Sequence, residues 1–193
     1  MGSRPSIERH LKKRLLNMST FVAPSCSISL NTSLKHEERV KFQDTSVINH
    51  ILGTAKTIAI VGLSGESTKA SNMVGSYLQD EGYRVVPVNP RAAEILGEKC
   101  YPDLKSIPFP VDVVDIFRPA SEVEAIVEDA IAIGAKAVWS QLRIIDIAAA
   151  ERARSAGLFV VVDKCLKMEH GRFGGMLHWA GMNTEVISAR RRA

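Results

Sequence analysis

The chain has 193 residues, 46% hydrophobic and 24% charged, the proportions of a globular domain with a real core rather than of a fibrous or low-complexity chain. Its formal net charge of +4 is concentrated at the ends, in Arg9, Lys12, Lys13 and Arg14 and again in Arg190, Arg191 and Arg192, which reads as solvated tails and argues against a nucleic-acid-binding face. No apolar run approaches the roughly 20 residues a membrane helix needs; Cys26, Cys100 and Cys165 are odd in number and widely spaced, with no C-x-x-C or H-x-x-x-H pattern, which argues against a disulfide framework and a structural metal and for a reducing, intracellular setting.

Residues 1–43 are rich in Ser, Thr, Lys and Arg. Apart from a short amphipathic stretch over 7–16 they offer nothing to bury, and they are expected to form a disordered tail. An Arg-rich, acid-poor start is also the composition of a transit peptide, which would place the protein in the mitochondrial matrix. Met18 as the first residue of a bacterial chain would leave it cytoplasmic, and that reading is preferred.

Asp44 is a candidate N-cap, and Val47, Ile48, Ile51 and Leu52 repeat at helical spacing up to Gly53. The run Thr57 to Val61 then reads as a buried parallel strand that stops at Gly62 and opens into a polar turn. Val74, Tyr77 and Leu78 mark a helix ending at Gly82. Arg84 to Val88 is a second strand despite Pro87, and a polar stretch with Cys100, Tyr101, Pro108 and Pro110 leads to a third strand over 111–117. The pattern Ser121-Glu122-Val123-Glu124 is a capping box for a helix whose apolar face is Val123, Ile126, Val127, Ala130 and Ile131. A strand over 135–139, an Ala-rich helix over 146–156 and a strand over 158–162 close the series at Asp163-Lys164-Cys165.

Strands alternating with helices at this spacing predict an α/β fold: a Rossmann-like, doubly wound parallel sheet of five strands, with 3-2-1-4-5 as the economical order. The domain is placed at 44–173, followed by a C-terminal extension over 174–193. Ligands of such sheets bind beyond the carboxyl ends of the strands, at the switch point. Here those ends carry Gly62-Leu63-Ser64, Asn89-Pro90-Arg91, Phe117-Arg118, Trp139-Ser140-Gln141 and Asp163-Lys164-Cys165.

The turn after the first strand reads as a cradle for nucleotide phosphates. Gly62 lets a phosphate approach the main chain, Ser64, Ser67 and Thr68 offer hydroxyls, the next helix offers unpaired N–H groups, and Lys69 adds a charge. Serine stands at the second and third places of the G-x-G-x-x-G fingerprint. On this reading Gly62→Val abolishes binding and spares the fold. An NAD-binding domain usually places an acid at the end of its second strand. Asn89 followed by Pro90 and Arg91 suits a phosphorylated ribose better, as in NADP or the 3′-phospho-ADP part of coenzyme A.

No G-x-S-x-G elbow or G-x-x-x-x-G-K-[ST] loop is present. Asp112 and Asp115, three apart on a strand, face opposite sides and make no carboxylate pair. Asp115 is expected to accept an internal hydrogen bond, and His170 to be exposed. Cys165, beside Lys164, is either a thiol of lowered pKa or an inert buried cysteine.

Six stretches carry a resemblance: Ile60-Val-Gly-Leu-Ser64, Gly82-Tyr-Arg-Val-Val-Pro-Val-Asn-Pro90, Leu96-Gly-Glu-Lys-Cys-Tyr-Pro102, Val111-Asp-Val-Val-Asp-Ile-Phe-Arg118, Ile133-Gly-Ala-Lys-Ala-Val-Trp139, and Val162-Asp-Lys-Cys165 with Glu169-His170. Over residues 45–173 the chain resembles the small, single-domain CoA-binding protein family, related to the N-terminal domain of the succinyl-CoA synthetase alpha subunit. The resemblance implies that Gly62, Leu63, Ser64, Lys69 and Ser71 hold the phosphates and that Asn89, Pro90 and Arg91 sit beside the 3′-phosphoribose. It further implies that Phe117 and Arg118 border the adenine and that Trp139, Gln141 and Cys165 lie towards the pantetheine arm. Many relatives read Gln-Leu-Gly after the fourth strand, whereas this chain has Gln141-Leu142-Arg143. The synthetase needs a phosphorylated histidine on a second domain, which these residues do not supply. The expected function is non-catalytic binding of CoA or an acyl-CoA, with an NADP-dependent oxidoreductase or another small nucleotide-using enzyme as the alternative.

Overall fold

The computed structural model describes residues 33–174. Five strands form one parallel sheet: β1 Thr57–Val61, β2 Arg84–Val88, β5 Val113–Ile116, β6 Ala137–Ser140 and β7 Phe159–Val161. A short antiparallel hairpin, β3 Glu94–Ile95 with β4 Glu98–Lys99, interrupts the connection after β2. The helices among the described residues are α1 His36–Phe42, α2 Thr45–Thr54, α3 Ala70–Asp80, α4 Ala120–Ala132, α5 Ile147–Ser155 and α6 Leu166–Phe173. The α/β class, the parallel five-stranded sheet and its flanking helices are as the sequence predicts.

Strand order is not. The sheet runs β2-β1-β5-β6-β7, so the five long strands, counted along the chain, lie in the order 2-1-3-4-5 rather than 3-2-1-4-5. The reason lies on the outer edge of β2. Tyr101 forms an isolated parallel bridge with Val88, donating its amide to Pro87 O at 2.9 Å and accepting from Asn89 N at 2.9 Å. That edge is therefore already paired, and the following strand crosses over to lie beside β1, from Ile58 opposite Val113 to Val61 opposite Ile116. Pro87 is tolerated in β2 because its ring nitrogen shares this outer side with its carbonyl, away from the ladder to β1. The new order moves the switch point to the gap between β1 and β5.

Both faces of the sheet are covered, which is why the strands read as continuous apolar runs. Ile58, Ile60, Val113, Trp139 and Val161 pack with Ile48 and Ile51 of α2, Val74 and Leu78 of α3 and Leu166 of α6. Ala59, Val86, Val88, Val114, Ile116, Val138 and Val160 face Val123 and Val127 of α4, Ala149 and Ala153 of α5, and the segment from Leu104 to Val111.

Local signals start two of the helices where expected. The Asp44 carboxylate accepts from Ser46 N at 2.6 Å and from Val47 N at 3.3 Å at the start of α2, and the Asp146 carboxylate accepts from Ala149 N at 3.0 Å at the start of α5. The capping box at Ser121 does not form. Pro119 is the N-cap of α4, so the chain is already helical at Ala120 and Ser121 lies inside the first turn.

The tail boundary at residue 43 also needs correction. Phe42 is 1% exposed, its carbonyl accepts from Val162 N at 3.2 Å, and Gln43 Nε2 donates to Val162 O at 3.0 Å. The stretch His36–Phe42 thus belongs to the folded unit, closing the exit of β7. The amphipathic stretch over 7–16, Met18 and residues 175–193 lie outside the described residues.

Candidate functional site

At the carboxyl ends of β1, β2 and β5 opens a crevice of about 430 Å³, a volume typical of small-molecule sites. Val61, Gly62 and Ser64 form one wall and Val88, Asn89, Pro90 and Arg91 a second. Pro102, Asp103 and Leu104 form a third, and Arg118, Glu122, Ile126 and Asp129 close the fourth. Of the thirteen residues singled out from the sequence, six line it: Gly62, Ser64, Asn89, Pro90, Arg91 and Arg118.

The loop after β1 is shaped by hydrogen bonds from its surroundings. Asn89 Nδ2 donates to Leu63 O at 2.8 Å while its Oδ1 accepts from Arg91 N at 2.9 Å, so one side chain ties the exits of β1 and β2 together. Ser64 N donates to Ser71 Oγ at 3.1 Å, Asn72 Nδ2 donates to Ser64 O at 2.8 Å, and Glu66 N donates to Ser64 Oγ at 3.1 Å. The amides of Leu63 and Gly65 meet no acceptor among the described residues. Asn89, Ser64 and Ser71 are thus builders of the loop, and Ser71 is buried.

Gly62 has a structural reason of its own. Its φ is +88°, its N–H donates to Val88 O at 2.9 Å, and a Cβ would sit 2.8 Å from Arg118 Cδ and 2.9 Å from Phe117 O. A β-branched residue would be strained in backbone and would collide with the exit of β5. The expectation that Gly62→Val spares the fold is therefore withdrawn: the glycine is required by the packing of β1 against β5 itself.

Two charges of the crevice, Arg118 and Glu122, are spent on one another. Arg118 Nε and Nη2 donate to both oxygens of Glu122, at 2.8 and 2.7 Å, which raises the guanidinium pKa and lowers that of the carboxyl. Asp129 pairs with Lys105 at 2.5 Å, and Asp103 accepts from Ser106 N and Oγ at 2.8 and 2.7 Å. Asp103 forms no ion pair among the described residues, and neither does Arg91. Arg91 is exposed and lines the crevice.

Seven singled-out residues lie elsewhere. The Leu63 side chain is fully buried, Phe117 packs on the α2, α3 and α6 face, and Lys69 is the exposed N-cap residue of α3, 3.7 Å from Glu66. Trp139 is fully buried on that same face, its Nε1 donating to Lys164 O at 2.7 Å. Gln141 Nε2 donates to both oxygens of buried Asp115, at 2.9 and 3.0 Å, which makes Asp115 the internal acceptor expected of it. Cys165 begins α6 and packs against the same cluster as Trp139. Strand alternation explains the separation: Trp139 and Asp115 point to the opposite face from the crevice wall of Leu104 and Ile126.

The thiol of Cys165 is not activated. Burial pushes its pKa up, and the Asp115 charge adds to that, while Lys164 lies 3.5 Å from Glu169. His170 is buried rather than exposed, its Nδ1 sharing a 2.9 Å hydrogen bond with the Tyr77 hydroxyl. The crevice residues not foreseen, Pro102, Asp103, Leu104, Glu122, Ile126 and Asp129, come from the connection after β2 and from α4. In the sequence Ile126 belongs to a stripe that reads as core and Glu122 to a pattern that reads as a cap, so neither carries a signal that points to a crevice.

Residues 56–171 match a family model described as "CoA binding domain". The chain is 36% identical over 123 residues to "Uncharacterized protein YneT" of Bacillus subtilis, covering 64% of this chain and 91% of that protein. It is 38% identical over 74 residues to "Acetate--CoA ligase [ADP-forming] I" of Archaeoglobus fulgidus, covering 38% of this chain and 11% of that enzyme. Among solved structures, a hypothetical protein from Pyrococcus horikoshii OT3 superposes with a TM-score of 0.65 at 41% identity, over 66% of this chain and 90% of its own. With the family match spanning most of the described fold, the chain belongs to the CoA-binding domain family.

Proposed function

We propose that this protein binds coenzyme A or an acyl-CoA in the crevice between the ends of β1, β2 and β5, as a binding module without a reaction of its own. Arg91 carries the proposal. Of the two exposed guanidinium groups lining the crevice, Arg118 is paired with Glu122, which leaves Arg91 as the one with no ion pair among the described residues, beside the end of β2 where a bare ribose would call for an acid. The 3′-phosphate of CoA is its complement, and the amides of Leu63 and Gly65 supply donors for the diphosphate. The pantetheine arm then leaves over the strand ends without lying against Trp139 or Cys165, which are on the far face.

The test is calorimetric titration with CoA, acetyl-CoA, dephospho-CoA, NADP and NAD. CoA is expected to bind with a Kd on the order of 1 μM, and Arg91→Ala to weaken CoA about tenfold with little effect on dephospho-CoA, a charge-assisted contact being worth roughly that much. Equal losses for both ligands would remove Arg91 from the 3′-phosphate. Tighter binding of NADP than of CoA would transfer the crevice to the oxidoreductase reading.

A further inference from the structure

We propose that Glu122 is a built-in competitor for Arg118, and that an anionic ligand of the crevice binds by taking the Arg118 guanidinium from Glu122. The inference rests on the CoA-binding reading for the identity of the ligand, but its observations are independent of Arg91. The Arg118 stem lies against Gly62, where the loop after β1 begins: a Cβ built on Gly62 would meet Arg118 Cδ at 2.8 Å. The stem therefore brings the guanidinium within reach of the part of the crevice where the diphosphate would meet the loop. Its guanidinium, however, is turned onto Glu122 in a two-pronged contact at 2.8 and 2.7 Å. Both residues line the crevice, and their side chains are 45% and 43% exposed, so neither is locked by packing.

The exchange has little to oppose it. Glu122 stands in the first turn of α4, where the unpaired N–H groups and the helix dipole favour a negative charge, and it is open to solvent. Its carboxylate is thus not stranded when the arginine leaves. Arg118 in turn gains a ligand that carries more charge than one carboxylate and presents the oxygen geometry that a guanidinium fork matches. No bond is made or broken; one ion pair replaces another. The consequence is selectivity by charge, because a diphosphate competes with Glu122 for Arg118 whereas a neutral or singly charged ligand has little to offer in its place. Glu122 is a positioning residue here, since it acts on the ligand through Arg118.

The experiment is a double-mutant cycle on the full chain with wild type, Glu122→Gln, Arg118→Ala and the pair, titrated with CoA and, separately, with inorganic pyrophosphate. Glu122→Gln is expected to tighten both probes about two- to fivefold, the range a partly exposed ion pair supports, and Arg118→Ala to weaken both. In the Arg118→Ala background Glu122→Gln should change neither affinity. An equal gain with and without Arg118 would mean that Glu122 merely repels anions, and would overturn the exchange. Should pyrophosphate follow the cycle while CoA does not bind, the exchange stands and the CoA reading falls. Should CoA bind with no response to any of the three variants, the CoA reading stands and the exchange falls. Binding of neither probe to any of the four proteins overturns both.

Discussion

Asp115 and Arg143 show how single positions carry the costs of this fold. Asp115 is fully buried, and burial pushes its pKa up to about 7 against the pull of the Gln141 amide. Between about pH 4 and pH 7 the folded state holds a proton there that the unfolded chain has released. The group's contribution to stability therefore declines as pH rises through that window and is level above it, by on the order of 4 kcal/mol in all. Urea unfolding of wild type and Asp115→Asn between pH 4 and pH 8 is expected to show the wild type losing ground to the variant across that range; a difference independent of pH would show that Asp115 is ionised throughout. At Arg143 φ is 65° and the amide donates to the Asp163 carboxylate at 2.7 Å. A left-handed conformation disfavours a Cβ. Arg143→Gly is expected to raise stability by about 1 kcal/mol, measured by the same denaturation, with a loss of stability meaning that the arginine side chain does more for the fold than its backbone costs.

At the scale of elements, α1 lies outside the domain bounds of 44–173 read from the sequence, and α6 lies inside them on a stretch where the sequence pattern gives no helix. Helix α1 is only seven residues long and would be marginal alone, yet Phe42 is buried and its carbonyl receives Val162 N just beyond β7. Phe42→Ala is expected to cost about 3 to 5 kcal/mol, read from the denaturation midpoint; an unchanged midpoint would make α1 an ornament of the domain rather than part of it. Helix α6 is held by a polar seam against α3, with His170 bonded to Tyr77 at 2.9 Å, its ring edge-on to Tyr83, and Lys167 over the Tyr77 ring at 5.2 Å. Burial lowers the His170 pKa, so the ring serves as a neutral partner of Tyr77 rather than as a cation.

For the molecule as a whole, a ligand that binds only the folded state stabilises it by mass action. At a free CoA concentration one hundred times Kd the gain is about 2.7 kcal/mol, which for a domain of this size raises the Tm by about 5 to 10 °C. A melting curve unmoved by millimolar CoA would contradict micromolar binding without any assumption about which residues make the contact. Among the described residues no helix is long and apolar enough to cross a membrane. The separation of the crevice from the Cys165 thiol is itself a property of the whole sheet, because residues adjacent at the strand ends in a list are divided between two faces in space.

What the sequence determined by itself was what local physics determines. The apolar runs of β1, β2 and β6, the Asp44 and Asp146 caps, and the residues of the β1 and β2 exits could be read from hydrophobic period and turn chemistry, because those depend on neighbours a few positions away. Strand order could not, since it was decided by Tyr101 pairing with the outer edge of β2, a contact between strands that no local pattern encodes. The far wall of the crevice was decided by the same crossover, which brings Leu104 and Asp103 against the start of α4. The surroundings of Gly62, Asn89, Gln141 and Cys165 likewise depend on the tertiary fold: what lies within 3 Å of each is brought there by strands and loops distant in sequence.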